Sequence, residues 1–380
     1  MNILIVGDIE PGTIKAGNQE VLIRTTELLI SLGHNVTYLY VYKPSLTKTT
    51  KNNEYKFSNN INPNIIVYKV KFVTNVLIKI RRYINDKYKK GFCKIDDYYP
   101  YGLANYINKL NKQLKFDCCI INYFYFSKLL NNIKGIKHLS LMTHDSFIYR
   151  NIINGVSIPA LTPSEEAKAL KRAPYILSLQ DIDSYIFHRL SPFSKIYTVY
   201  MPLQYHETAI TGNHNILFYS GSAPFNIMGI KWFIREIMPA LKQKFEDINL
   251  IIGGSICKNL DFLSDRKDIT LYGYVEDEQK FFKQGDIAIN PINHGSGLKI
   301  KTLKSLAYDK ITISTPHSAE GLFNEVINSL IIPKNDKEWI DMIVDIWNNP
   351  DSISQLKNHN KKFFSLYNST IKEQFQSLYN

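Results

Sequence analysis

The chain has 380 residues, a formal net charge of +12 from 46 Lys and Arg against 34 Asp and Glu, and 44% hydrophobic residues. That length exceeds one ordinary core and suggests two domains, while no apolar run reaches the ~18–20 residues needed to span a bilayer. The four cysteines, Cys93, Cys118, Cys119 and Cys257, have neither metal-ligand spacing nor the pattern of a disulfide framework, so they suit a reducing cytoplasm.

Residues 2–7 read as a short buried strand, and the absence of a basic n-region argues against a signal peptide there. Residues 7–17 form a loop with Pro11, Gly12 and Gly17. Asn18 can cap a helix whose apolar positions Val21, Leu22, Leu28, Leu29 and Leu32 follow the helical period, and Gly33 ends it. Residues 35–42 are the next strand, 44–64 a polar loop, and a helical region continues to about residue 115. Strands follow at 116–123, 138–143, 175–179 and 195–200, with a helix at 165–173. Met201 to His214 reads as a linker. The pattern then restarts, with strands at 215–219, 248–252, 269–271, 286–290 and 312–314. A glycine turn at Gly221-Ser222 precedes a helix over 227–245, and residues 337–380 are mostly helical.

This repeated strand–helix alternation predicts two doubly wound α/β domains, 1–200 and 215–360. A terminal helix over 361–380 is expected to pack on the first domain. Ligand loops belong at the C-terminal ends of such strands. The charge is uneven: residues 1–200 carry 27 basic and 14 acidic side chains, residues 201–380 carry 19 and 20. The densest basic cluster runs from Lys69 to Lys94 and is interleaved with Val70, Phe72, Val76, Leu77, Ile78, Ile80, Tyr83 and Tyr88. Basic residues alternating with apolar ones suit an anionic membrane surface at ~1 kcal/mol per basic residue. A nucleic-acid surface is the rival reading and an ordinary lysine-rich surface the plain one, and no nucleic-acid partner is expected.

The segment from Pro291 to Leu322 carries the most chemistry. His294-Gly295-Ser296-Gly297 leads into a helical pattern, and a helix that starts on a glycine turn offers open N–H groups to an anion. Lys301 and Lys304 share a helix face and repel one another unless an anion lies between them. Thr143-His144-Asp145 ends a strand, where His144 can donate to a sugar or phosphate and Asp145 can orient His144 or the acceptor. Arg150, within a turn, can meet an anionic acceptor.

Gly295-Ser296-Gly297, Lys301, Leu303, Ala307, Ser314-Thr315 and Ala319-Glu320-Gly321-Leu322 together resemble the C-terminal domain of group 1 (family 4) glycosyltransferases. These are GT-B enzymes that take a sugar from a nucleotide donor. The resemblance is closer over 216–348 and looser over 1–42 and 116–150. It implies a GT-B fold, two Rossmann-like domains facing one cleft. It places the donor diphosphate at Gly221, Ser222, Gly295, Ser296, Gly297 and Lys301. The nucleoside and sugar fall to Asn226, Gly273, Tyr274, Val275, Lys304 and Glu320. His144 and Asp145 come beside the reacting centre, and Gly12, Gly17 and Arg150 on the acceptor and phosphate side, with only the Ala16-Gly17 part of the first loop matching the usual glycine pair. Tyr274 stacks on the base or stands half-buried at a strand end, and Glu320 touches a hydroxyl or caps a helix near Asn324. Retention through front-side attack is implied, with no metal and no cofactor beyond the nucleotide sugar.

Two positions depart from the pattern. Lys304 stands where the family has a ribose-binding carboxylate, and Asp309-Lys310-Ile311 where it has a Gly-x-Pro turn. Lys304 either grips an altered donor or lies exposed in a remodelled site. The expectation is a cytoplasmic, peripheral-membrane transferase that glycosylates a lipid-linked or surface-glycan acceptor in polysaccharide or O-antigen assembly. The alternative is a non-catalytic GT-B partner of a true transferase.

Overall fold

The computed structural model describes residues 1–12, 14, 17–44, 63–90, 92–155, 160–323, 326 and 328–378. Ala16, Asn324 and most of the expected loop over 44–64 lie outside these. The chain forms two compact units, one of Met1–Pro202, Ser296–Leu298 and Ile371–Asn380, the other of Leu203–Gly295 and Lys299–Thr370.

The first unit runs β1 (Asn2–Gly7), α1 (Gly17–Ser31), β2 (Asn35–Tyr42), β3 (Asn64–Lys69), α2 (Phe72–Tyr88), β4 (Phe92–Cys93), α3 (Leu103–Leu114) and β5 (Cys118–Asn122). It continues β6 (His138–Met142), α4 (Phe147–Asn154), β7 (Ala160–Leu161), α5 (Pro163–Leu170), β8 (Tyr175–Ser178), α6 (Asp181–Leu190) and β9 (Lys195–Thr198). Seven strands form one parallel sheet in the order β3-β2-β1-β5-β6-β8-β9, and β4 pairs with β7. The inner strands read as unbroken apolar runs because helices bury both faces: Ile3 to Val6 and Cys118 to Ile121 are all buried. Strand β3 corrects the expectation of an unbroken helical region. Its run Ile65-Ile66-Val67-Tyr68 is β-branched and aromatic, and it pairs with β2 as the sheet edge.

The second unit runs β10 (Asn215–Tyr219), α7 (Pro224–Trp232), α8 (Met238–Lys244), β11 (Asn249–Gly253), β12 (Ile269–Gly273), α9 (Glu278–Phe282) and β13 (Ile287–Asn290). It continues with α10 (Ile300–Ala307), β14 (Ile311–Ser314), α11 (Pro316–Ala319), β15 (Leu330–Ile331) and α12 (Asp336–Asn348), and α13 (Pro350–Ser377) follows, its residues from Ile371 onward counted with the first unit. A π-helical turn over Phe233–Ile237 joins α7 to α8. The parallel sheet has the order β12-β11-β10-β13-β14-β15. Its core packs Ile216, Phe218, Leu250, Ile252, Ile287 and Ile289 against the flanking helices.

The segment read as a linker is packed from Leu203 onward. Asp286 accepts from the Thr211 N–H at 2.9 Å, the Thr211 hydroxyl at 2.8 Å and the Gly212 N–H at 2.9 Å. Asp309 takes a left-handed backbone conformation (φ 58°), a geometry that Asp tolerates better than most residues. Its carboxylate accepts from the Tyr205 hydroxyl at 2.8 Å and the Thr208 N–H at 3.2 Å. The turn therefore survives without glycine, and its side chain anchors the 203–213 strap. Lys310 is fully buried beside it and donates to Thr208 Oγ1 at 2.8 Å and the Gly285 carbonyl at 2.9 Å.

Strand order reverses between β1 and β5 in the first unit and between β10 and β13 in the second. Ligands of doubly wound sheets bind outside the strand ends at such switch points. The Gly221 turn follows β10 and the Gly295 loop follows β13. Asn122 at the end of β5 and His144 just after β6 come to the corresponding place in the first unit.

Candidate functional site

In the second unit the turn after β10 and the loop after β13 meet through one side chain. Asn226, buried on α7, donates from Nδ2 to the Gly221 carbonyl at 2.8 Å, and its Oδ1 accepts from Lys301 Nζ at 2.7 Å. Helix α7 lies very close to the β13 loop: a Cβ on Gly229 would stand 2.5 Å from the Pro291 carbonyl oxygen, so no larger residue fits without movement. Lys301 is half-buried and has a neutral hydrogen-bond partner. Desolvation of its ammonium, helped by the Lys299 charge, lowers its pKa to about 7. An ammonium held this way is under-compensated and ready to take an anion.

The glycine turn itself requires glycine, since Gly295 and Gly297 have φ of 119° and 78°. Helix α10 begins three residues beyond Gly297, with Lys299 at its N-cap and no side-chain cap. The Ser296 and Gly297 N–H groups thus stand upstream of the helix start, which corrects the reading of a helix that starts on the glycine turn. The Gly295 carbonyl is held by His317 Nε2 at 2.8 Å and by Lys299 Nζ at 3.4 Å. Glu320 lies 3.3 Å from His317 Nδ1, so it backs the loop through that histidine.

Lys304 is not exposed. Its side chain is only 4% accessible, and Nζ donates to Glu278 Oε1 at 2.7 Å. The same carboxylate accepts from the hydroxyls of Tyr219 at 3.1 Å and Tyr308 at 3.2 Å. Lys304 thus has an anionic partner supplied by the protein. Gly273 is left-handed, Val275 is buried, and Tyr274 is 71% exposed, not half-buried.

In the first unit, His144 does not lean on Asp145. Its Nε2 meets Asn122 Oδ1 at 2.6 Å, and burial lowers its pKa to about 4, so the ring is neutral with Nε2 as the donor. Asp145 instead pairs with Arg150 Nη1 at 3.4 Å and the Tyr123 hydroxyl at 3.4 Å. Arg150 lies over the Phe147 ring, 4.0 Å from its centroid, so it belongs to the same cluster. Two buried carboxylates hold the start of α4. Asp183 accepts from the Ser146 N–H at 3.1 Å, and Glu166 from the N–H groups of Phe147 and Ile148 at 2.9 Å each. Burial raises both carboxyl pKa values to about 7. Gly12 lies on the loop after β1, and Gly17 is the first residue of α1.

Residues 214–349 match the family described as glycosyl transferases group 1. The chain carries a group 1 glycosyltransferase domain. The expectation of a nucleotide-sugar-dependent glycosyltransferase accords with that match, and the domain contains every donor-site residue named from the sequence. A Klebsiella pneumoniae protein described as an uncharacterized 44.6 kDa protein in the cps region is 24% identical over 96% of this chain and 95% of its own length. A mutant of S. aureus TarM in complex with fondaparinux, α-GlcNAc-glycerol and UDP is 10% identical, covers 100% of this chain and 99% of its own, and superposes with a TM-score of 0.67. Sucrose-phosphate synthase from Thermosynechococcus elongatus is 12% identical at a TM-score of 0.68, over 100% and 98% of the two chains. At these identities the likeness shows the shared GT-B fold.

Sequence reasoning missed Asn122, Glu166, Asp183, Glu278 and His317. Of these only Glu278, in the acidic run Glu276-Asp277-Glu278 just after Gly273, gave any signal in the sequence.

Proposed function

We propose that this chain moves a sugar from a nucleotide-sugar donor to a lipid-linked or cell-surface glycan acceptor, in surface polysaccharide assembly. The observation that carries the reading is the half-buried Lys301, held by Asn226 at the β10/β13 switch point of a group 1 domain. In the reaction the bond from the anomeric carbon to the donor diphosphate breaks, and a bond from that carbon to an acceptor hydroxyl oxygen forms. The hydroxyl proton passes to the leaving diphosphate, whose new charge Lys301 stabilises. Attack on the same face as departure gives retention.

His144, neutral and oriented by Asn122, positions a sugar hydroxyl through its other ring nitrogen. No metal is required in this scheme. The described residues hold no group of three His, Cys, Asp or Glu side chains fit to bind one. The polysaccharide assignment draws on the cps-region relative, and the nucleotide on the UDP bound to the TarM mutant.

The test is a panel of nucleotide sugars in a thermal-shift and hydrolysis assay, with and without EDTA. The true donor at 100 times its Kd stabilises the protein by about 2.7 kcal/mol and is hydrolysed slowly with or without EDTA. If no member of the panel stabilises or is turned over, the reading fails.

A further inference from the structure

Helix α2 is inverted relative to an ordinary surface helix. Its buried positions are Asn75, Ile78 and Asn85. The two asparagines are tied inward: Asn75 Nδ2 donates to the Pro44 carbonyl at 2.7 Å, and Asn85 Nδ2 to Asp97 Oδ2 at 3.1 Å. The outward side carries Phe72, Val73, Leu77, Ile80 and Ile84, which are 40–70% exposed. Tyr83 and Tyr88 stand among them, 60% and 69% exposed. At 3.6 residues per turn these seven positions fall within one sector about 160° wide, opposite the buried three. Scattered exposed apolar side chains are normal on a protein surface, but a continuous apolar sector marks an interaction face.

The charges around that sector identify what it faces. By the same spacing Arg81 falls at one border and Lys79 at the other, and the only acidic residue of the helix, Asp86, falls outside. Lys87 lies inside the sector. Its Nζ is drawn over the Tyr83 and Tyr88 rings, 5.6 and 5.3 Å from their centroids, with the stem against the aromatic faces. Lys69 and Lys71 precede the helix, and Lys89 and Lys90 follow it. Aliphatic side chains at the centre, tyrosines beside them and cations at the rim match the layering of a bilayer surface. Acyl chains lie deepest, then the polar boundary, then phosphates. A second copy of the chain would oppose cation to cation across a symmetric contact. A nucleic acid would leave the central aliphatic stripe without a partner.

We propose that α2 docks this protein on an anionic lipid bilayer, its apolar sector entering the headgroup boundary and its lysines and arginines meeting lipid phosphates. The inference is independent of the transferase reaction, since none of these residues belongs to the sites described above.

The full chain is mixed with vesicles of phosphatidylcholine containing about 30% phosphatidylglycerol, or of phosphatidylcholine alone, and separated by flotation. The native chain is expected to float with the anionic vesicles, at least about tenfold more than with the neutral ones, and progressively less as salt rises. Ile80→Asp should abolish flotation with an unchanged melting temperature, because its side chain faces outward. Phe72→Ser, at the first position of the helix, is the second variant should Ile80→Asp not fold. The double variant Lys79→Glu/Arg81→Glu should float only with added cationic lipid. Failure of the native chain to float, or flotation of both apolar variants equal to native, overturns the proposal. So does a dimer in light scattering that Ile80→Asp dissolves while vesicle binding is absent. Salt-sensitive duplex DNA binding that persists in Ile80→Asp, with no vesicle binding by the native chain, also overturns it and favours nucleic acid.

Discussion

Replacing Glu278 by Gln asks whether Lys304 is held by the protein or is free to hold a ligand. The amide keeps the shape of the carboxylate and an acceptor for Lys304, but it strands a positive charge whose side chain is only 4% accessible. Removing one member of a buried ion pair costs about 3–5 kcal/mol. Glu278 is 18% accessible and the amide oxygen still accepts a hydrogen bond, so about 2 kcal/mol is expected here. In a domain of 150–250 residues that lowers the melting temperature by about 4–8 °C. Scanning calorimetry on Glu278→Gln, Lys304→Met and the double variant measures it. The double variant, with neither charge, should lose less than the sum of the two single ones. Additive losses, or a Glu278→Gln shift under about 1 °C, would refute the pairing argument. If Lys304 serves the donor instead, freeing it from Glu278 should tighten nucleotide-sugar binding while stability barely changes.

Three further outcomes follow from the same geometry. Lys301→Met should weaken donor binding on the order of 10–100-fold in calorimetric titration without lowering the melting temperature, since it removes a desolvated charge. In the native chain donor affinity should fall above pH 7, because the lowered pKa of about 7 leaves Lys301 uncharged there; flat affinity from pH 6.5 to 8.5 would contradict this. Asp183 and Glu166 have folded pKa values raised to about 7, so between about pH 4 and 7 the folded state binds more protons than the unfolded one and stability falls as pH rises. Asp183→Asn, which cannot ionise, should therefore show a shallower decline of melting temperature across that window than the native chain. Gly229→Ala should cost about 1–3 kcal/mol by denaturant titration, because its Cβ would stand 2.5 Å from the Pro291 carbonyl oxygen.

The alternation of strands and helices was legible because buried parallel strands are short apolar runs and glycines punctuate them, as from Ile3 to Gly7 and Asn215 to Gly221. Strand β3 was hidden because Ile65–Tyr68 sits between a polar loop and a basic helix. An edge strand exposed on one side lacks the unbroken apolar signature. Gly221 and Gly295 could be gathered from sequence because they turn just after strand ends, and Asn226 and Lys301 because they match the pattern of the family that the chain resembles. Their partners could not, because pairing across a sheet obeys no spacing rule. Glu278 reaches Lys304 from the start of α9, and Asn122 reaches His144 from a neighbouring strand. The same limit applied to Asp145, adjacent to His144 in the chain yet turned toward Arg150. The basic, apolar-rich segment was legible as a membrane-binding composition. That its apolar residues face outward needed the buried asparagines to be seen.

The two switch points also bear on how the chain folds. Among the described strands all neighbours are parallel, so none can pair through a tight hairpin. Most neighbouring strands join across one intervening crossover, but Ile3 must wait for Cys118 and Ile216 for Ile287. These are the longest loop closures within the two main sheets, and closing a longer loop costs more chain entropy before any contact compensates it. The seams that open the ligand crevices are therefore the slow joints of assembly. Until each one closes, the apolar edges of β1 and β10 are the surfaces most exposed to mispairing in the nascent chain.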